Sequence, residues 1–199
     1  MKEFWNMRYA EENYAYGHKP NDFLKENYTK IPKGKVLFPA DGEGRNSVFL
    51  AQLGYEVAAF DSSEEGKIKA QKLAIKSNTT IDYQVGTVET LHYDKNSFEG
   101  LVLIFAHVAF PLRKEFHTRL VTLLKPNGVI VFEAFSKEQL QFNSGGPKQL
   151  EMLFSEEDIR NEFPTIDFKF ITTTIVDLDE GPYHQGKGSV VRFIGTKKI

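Results

Sequence analysis

The chain of 199 residues contains no cysteine, which excludes disulfides, thiolate metal sites and a cysteine nucleophile. No metal site is expected. Apolar runs approaching the roughly 20 residues that span a bilayer are missing, and no secretion signal is visible, so the cytoplasm is the expected location and no membrane contact is expected. Neither sign of charge predominates: 25 basic against 27 acidic side chains leave a net charge of −2, which predicts no general affinity for nucleic acid. Internal repeats and low-complexity segments are absent as well. What remains is a chain of one-domain length with 41% hydrophobic residues, long enough to bury a sizeable core. Most of its 17 phenylalanines and 8 tyrosines are expected in that core, so they point only weakly to an aromatic-lined pocket.

The most informative stretch is 36–61, VLFPADGEGRNSVFLAQLGYEVAAFD. Val36, Leu37 and Phe38 follow the breakers Pro32 and Gly34 and read as a buried strand. Asp41-Gly42-Glu43-Gly44 turns the chain, and the two glycines permit positive φ and close approach of a ligand to backbone. Val48, Phe49 and Leu53 have roughly helical spacing before Gly54 stops the run, and Tyr55 to Phe60 is a second strand ending in Asp61. Free N–H groups in such a turn, with a carboxylate about twenty residues later able to accept from ribose hydroxyls, describe a nucleoside pocket. Ser47 stands where a dinucleotide fingerprint has its third glycine, and Asp41 and Glu43 would repel a pyrophosphate and suit a cationic ligand.

Gly42-Glu43-Gly44-Arg45-Asn46, then Leu53-Gly54-Tyr55-Glu56-Val57 and Asp61, resemble motif I of the class I S-adenosylmethionine-dependent methyltransferases, in the branch near the tellurite-resistance and thiopurine enzymes. Phe4-Trp5-Asn6, Arg8-Tyr9, Tyr16-Gly17, the run 20–24, Gly145-Gly146-Pro147 and the run LLKPNGVIVFEAF resemble the same branch. The resemblance implies an α/β fold: a Rossmann-like, mostly parallel seven-stranded sheet with one antiparallel C-terminal edge hairpin and helices on both faces. It also implies S-adenosyl-L-methionine as cofactor. Two positions depart from the family, which usually has an acid at Phe38 and a glycine at Ala40.

Residues 1–30 are expected to form a helical extension or lid, with 31–199 as the methyltransferase domain. In the extension, Phe4, Trp5, Arg8 and Tyr9 share one side of a short helix, and Asn21 can cap a second helix after Pro20. Trp5, Tyr9 and Tyr16 could wall the crevice with Arg8 as an anion contact, or simply staple the extension to the body. Further on, Ser62 and Glu65 have capping-box spacing before a helix to about Ser77, and Ile81 to Val85 is a third strand. Thr87 and Val88 follow where the fold places its loop against adenine, with Thr87 where the family commonly has an aspartate and Glu89 read as solvated. Phe98 to Phe105 is a central strand, which sets Phe105 and His107 at the carboxyl edge of the sheet; His107 is either a ligand contact or a hydrogen-bonded structural residue. The spacing predicts a helix over 111–124 with Arg113, Lys114, His117 and Arg119 mostly outward, a buried strand over 129–135, a long loop over 136–154 and a helix begun by Ser155 and Asp158. Strands over 166–176 and 189–195 flank a loop at 177–186.

The cofactor is therefore expected to meet Ala40, Gly42, Gly44, Arg45, Asn46, Asp61, Ser62, Thr87, Val88, Phe105 and His107, under a lid carrying Trp5, Arg8, Tyr9 and Tyr16. Methyl transfer depends mainly on alignment and needs no universal side chain. On the acceptor side His184 can serve as base or cation, or be a turn histidine bonded to a neighbour such as Glu180. Arg192, eight residues later, can face the same space across the hairpin. Both resemble the C-terminal histidine and arginine of the tellurite-resistance branch, although the arginine that directly follows that histidine is here Gln185. The expected partner is a small methyl acceptor such as a thiol or a metalloid oxyanion, and the chain is expected to act as monomer or dimer. Two alternatives stay open: a module that binds the cofactor without transfer, and a nicotinamide-dependent oxidoreductase on the same topology.

Overall fold

The computed structural model describes residues 2–108 and 112–199. Seven strands form one sheet: β1 (Lys35–Pro39), β2 (Glu56–Asp61), β3 (Asp82–Val85), β4 (Phe98–Ile104), β5 (Leu124–Phe135), β6 (Ile166–Asp179) and β7 (Gln185–Lys197), in the spatial order 3-2-1-4-5-7-6. β1 to β5 run parallel, and β7 lies antiparallel between β5 and β6. This is the Rossmann-like sheet anticipated from the sequence, with β6 as its outer edge.

Burial on both faces explains the continuous apolar runs of the central strands. Because side chains alternate along a strand, Ile130, Phe132 and Ala134 of β5 join one core with Phe116, Leu120, Phe154 and Phe163, while Val129 and Val131 join another with Leu24, Leu50 and Ala70. The first core is capped by α5 (Arg113–Leu123) and α6 (Glu156–Glu162), the second by α2 (Asp22–Asn27), α3 (Arg45–Gln52) and α4 (Glu64–Lys76). A leader helix, α1 (Lys2–Tyr9), packs against α4.

Two helix starts follow the expected chemistry: Asn21 Oδ1 accepts the Leu24 N–H, and Ser155 with Asp158 forms a full capping box. The start of α4 differs. Ser63, not Ser62, is its N-cap, accepting from the Gly66 N–H, and Asn6 of the leader accepts from both the Ser63 hydroxyl and the Glu64 N–H. Ser62 is left facing the cavity described below.

The hairpin is longer than its apolar core suggests, because Asp177, Asp179 and Gln185 continue the ladder and leave only a short turn at 180–184. Within 136–154, expected as loop, two short 3-10 stretches occur, at Lys137–Gln141 and Leu150–Met152. The outward face assigned to α5 also needs correcting. Arg113 and His117 are buried, and Glu162 of α6 takes Arg113 Nε at 2.8 Å and His117 Nδ1 at 2.7 Å. A carboxylate on the neighbouring helix compensates the buried cation, and nothing in α5 itself signals it. The expected start of this helix at Pro111 lies outside the described residues.

Candidate cofactor and acceptor site

The carboxyl ends of the parallel strands open into a cavity of about 740 Å³, inside the range of roughly 300–1,000 Å³ typical of small-molecule sites. At the β1/β2 end Gly42 adopts φ +62°, and a side-chain carbon there would fall 2.6 Å from the Tyr9 hydroxyl. Only glycine lets the leader's tyrosine lie on this turn. Asp61, almost fully buried at the end of β2, accepts the Gly42 N–H at 3.1 Å and the Ser63 N–H at 2.9 Å. The Ser62 hydroxyl makes a longer bond to the same carboxylate at 3.5 Å, and a carboxylate offers about four lone-pair sites, so acceptor capacity remains for a hydroxyl in the cavity that Asp61 lines. Ala40, Ser62, Thr87, Val88 and the stacked pair Trp5 and Tyr9, 5.4 Å apart, complete this end.

Gly44 is not on the wall. A side chain there would collide with Ala70 at 2.6 Å, so this glycine, at φ +85°, lets the start of α3 lie against α4. Arg45 and Asn46 do line the cavity, with one polar atom of each turned to the protein: Arg45 Nη2 pairs with Glu180 at 2.9 Å, and Asn46 Oδ1 accepts the Asn21 N–H at 2.9 Å. Glu43 is held by Lys69 at 2.8 Å and by the Ala15 N–H at 2.8 Å, so its charge serves to anchor the leader.

Asp41 is the remaining acid of the turn. Burial pushes its pKa up to about 7, against the bond it accepts from the Ser47 hydroxyl. The folded value lies above the unfolded one of about 3.9, so between these values the folded chain holds the extra proton and ionising Asp41 costs stability as pH rises through that window. A cation in the cavity favours the ionised form. Affinity for a sulfonium ligand is therefore expected to climb from pH 5.5 to about 7 and level off above it, and to lose most of this slope in Asp41→Asn; calorimetry across pH checks both.

At the β4/β5 end, Phe105 sits at φ +53°, a left-handed conformation that is costly for a bulky residue and that clusters at functional sites. Its ring lies 4.6 Å from Phe135 and 4.6 Å from His184. His107 lines the cavity with both nitrogens used: Nδ1 bonds the Met152 carbonyl at 3.0 Å and Nε2 accepts the Phe135 N–H at 3.4 Å. Burial lowers its pKa to about 4, so it is a neutral wall residue. His184 is arranged differently. Its Nδ1 bonds Glu180 at 3.1 Å, while the ring lines the cavity against Tyr16 at 4.4 Å. With Nδ1–H donated to the carboxylate, Nε2 carries the lone pair. Burial lowers the His184 pKa in spite of Glu180, so the ring is neutral at pH 7 and able to take a proton. Glu180, whose hydrogen bond to His184 and pairing with Arg45 outweigh burial, is held down at about 2.

Arg192 does not share this space. It is ion-paired with Glu133 of the neighbouring strand, lies over the Phe23 ring at 4.9 Å, and is absent from the cavity wall. Register explains this: Arg192 sits opposite Glu133 in the ladder, on the face covered by α2. The cations that do reach the wall near His184 are Arg45, through Glu180, and Arg8, stacked 3.6 Å over Tyr183. Asn21 caps α2 and Glu180 bonds His184, as the sequence allows, but nothing in the sequence marks the link of Asn21 to Glu133 and Glu180, which lie 112 and 159 residues away. Among the described residues no group of histidine, aspartate and glutamate could hold a metal ion, and no helix is long and apolar enough to cross a membrane.

A seven-stranded sheet with this order, a glycine turn after β1 and a buried acid after β2 define the class I methyltransferase fold, whose cofactor is S-adenosyl-L-methionine. Residues 39–132 match the methyltransferase-domain family model, a span that holds the glycine turn, Asp61, strands β2 to β4 and most of β5. YqeM of Bacillus subtilis (strain 168), a methyltransferase by name, is 30% identical over 60% of this chain and 50% of its own length. The chain spans about half the length of the curated relatives it matches. TehB from Haemophilus influenzae superposes with a TM-score of 0.71 at 17% identity, over 99% of this chain and 67% of that one. The structure described under the conversion of a disulfide bond into a thioacetal group during echinomycin biosynthesis superposes with a TM-score of 0.77 at 16% identity, over 100% of this chain and 92% of that one.

Proposed function

We propose that the protein is an S-adenosylmethionine-dependent methyltransferase acting on a small acceptor whose nucleophile must lose a proton, a thiol or an acidic hydroxyl. One observation carries this reading: a single cavity runs from Asp61 and Gly42 at one end of the sheet to the His184 ring at the other. Asp61, with acceptor capacity facing the cavity, and the Gly42 turn would hold the nucleoside, with Val88 and Thr87 beside the base. The bound cofactor supplies an electrophilic methyl on a cationic sulfur. Residues 2–30 act as a lid, since Tyr9 lies on Gly42 and Glu43 binds the Ala15 amide. Phe105, Phe135 and Met152 exclude water from the acceptor end, and His184 removes the acceptor's proton as it aligns.

A bare metalloid oxyanion fits this end less well. Arg192 is withdrawn to Glu133, the arginine expected after the histidine is Gln185, and His184 is neutral, so the cationic set such an acceptor needs is thin. Single-turnover assays with labelled cofactor against thiol, phenol and oxyanion panels test the proposal. Label on a thiol or phenol supports it; label on oxyanions alone, or none anywhere, contradicts it.

A further inference from the structure

The lid and the base share an interior. Asn21, 2% exposed at the entrance to α2, has every polar group engaged. Its Oδ1 caps the helix through the Leu24 N–H, its N–H binds Asn46, and its carbonyl accepts from Lys25. Its single amide nitrogen donates to two carboxylates, Glu133 at 2.7 Å and Glu180 at 2.9 Å. Glu133 is completely buried, and Glu180 nearly so. Two such carboxylates repel at low effective dielectric unless donors stand between them. Arg192 offsets one and Arg45 the other, and the Asn21 amide bridges the gap. With Oε1 held by Asn21, Glu180 turns Oε2 to Arg45 and to His184 together, and so orients the ring.

A second set of contacts joins the same partners. The leader's main chain lies directly on the hairpin turn: a side chain on Gly181 would fall 2.4 Å from the Gly17 nitrogen and 2.7 Å from the Ala15 carbonyl. The Tyr183 hydroxyl donates to Glu11 at 2.7 Å, and Arg8 stacks on its ring. The turn that carries Glu180 and His184 is thus seated on the leader at residues 8–11, 15–17 and 21.

We propose that Asn21 is a positioning residue for His184: by bridging Glu133 and Glu180 it seats the carboxylate that orients the histidine, so that closing the leader over the cavity and assembling the base are one event. The inference rests on reading His184 as the base. It adds that the acceptor's proton is removed only when the leader is shut, which keeps water from the reacting groups at that moment. The groups facing the ring are Glu180 and Tyr183 on its own hairpin, Arg45 on α3, Arg8 and Tyr16 on the leader, and His107 after β4.

The test is nitrogen-detected NMR of the histidine rings in the full chain, titrated with pH in the presence of S-adenosylhomocysteine. Wild-type His184 should show one neutral tautomer, protonated at Nδ1. Asn21→Ser keeps an oxygen that caps α2 and deletes only the bridging amide; it should give a mixture of tautomers and lower the His184 pKa by about one unit, a tenfold change in proton affinity. Gly181→Ala, which unseats the leader at a separate point, should produce the same signature and faster amide exchange across 180–184. An unchanged His184 signal in either folded variant overturns the coupling. A His184→Ala protein that turns over at the wild-type rate overturns the base reading, and leaves the NMR signatures of the other variants untouched.

Discussion

His184→Ala is expected to lower the single-turnover rate on a thiol or phenol acceptor by about 10²–10⁴-fold, the usual contribution of a positioned general base, while S-adenosylhomocysteine binds as it does to wild type. The ring stands between Tyr16, Phe105 and Phe135, with Nδ1 committed to Glu180 and Nε2 left as the proton acceptor. The pH dependence has a definite sign. Burial lowers the His184 pKa, so the active neutral form persists below the ordinary histidine value of about 6.5, and the acid limb of the rate falls at lower pH than an exposed histidine would give. In the variant that limb disappears. A rate loss matched by an equal loss of cofactor affinity would instead make His184 part of the wall.

Asp61→Ala should weaken S-adenosylmethionine binding by 100-fold or more. Hydrogen bonds to a charged group contribute about 1.5–3 kcal/mol each, and this carboxylate both faces the cavity as an acceptor and fixes the Gly42 and Ser63 amides. Removing it relaxes the turn as well as deleting the contact. Calorimetry gives the affinity. Asp61→Asn helps separate the effects, because its oxygen can still accept one backbone N–H while the charge is gone. Binding left within threefold of wild type in both variants would move the nucleoside elsewhere.

Much of this was legible in the sequence where the signal is local. The run from Val36 to Asp61 gave strand, turn, helix, strand and acid in order, because buried parallel strands need continuous apolar residues and a tight turn needs glycine. Asn21 and Ser155 were legible as caps for the same reason. What was not legible depends on distant partners. Gly42 and Gly44 look alike in the sequence, yet one meets the leader and the cavity while the other meets Ala70. Arg45 and Asn46 sit in the motif and turn toward Glu180 and Asn21. Arg192 has the spacing to reach His184, but the β5–β7 register sets it against Glu133. Arg113 and His117 read as solvent-facing charges and are buried, because Glu162 comes from the next helix.

A crystal structure with S-adenosylhomocysteine bound tests the central claim most directly. The ribose hydroxyls should lie within hydrogen-bond distance of Asp61, the adenine beside Val88, and the sulfur should face the space between Phe105 and His184. A ligand bound outside the cavity, or one whose ribose turns away from Asp61, would contradict the account.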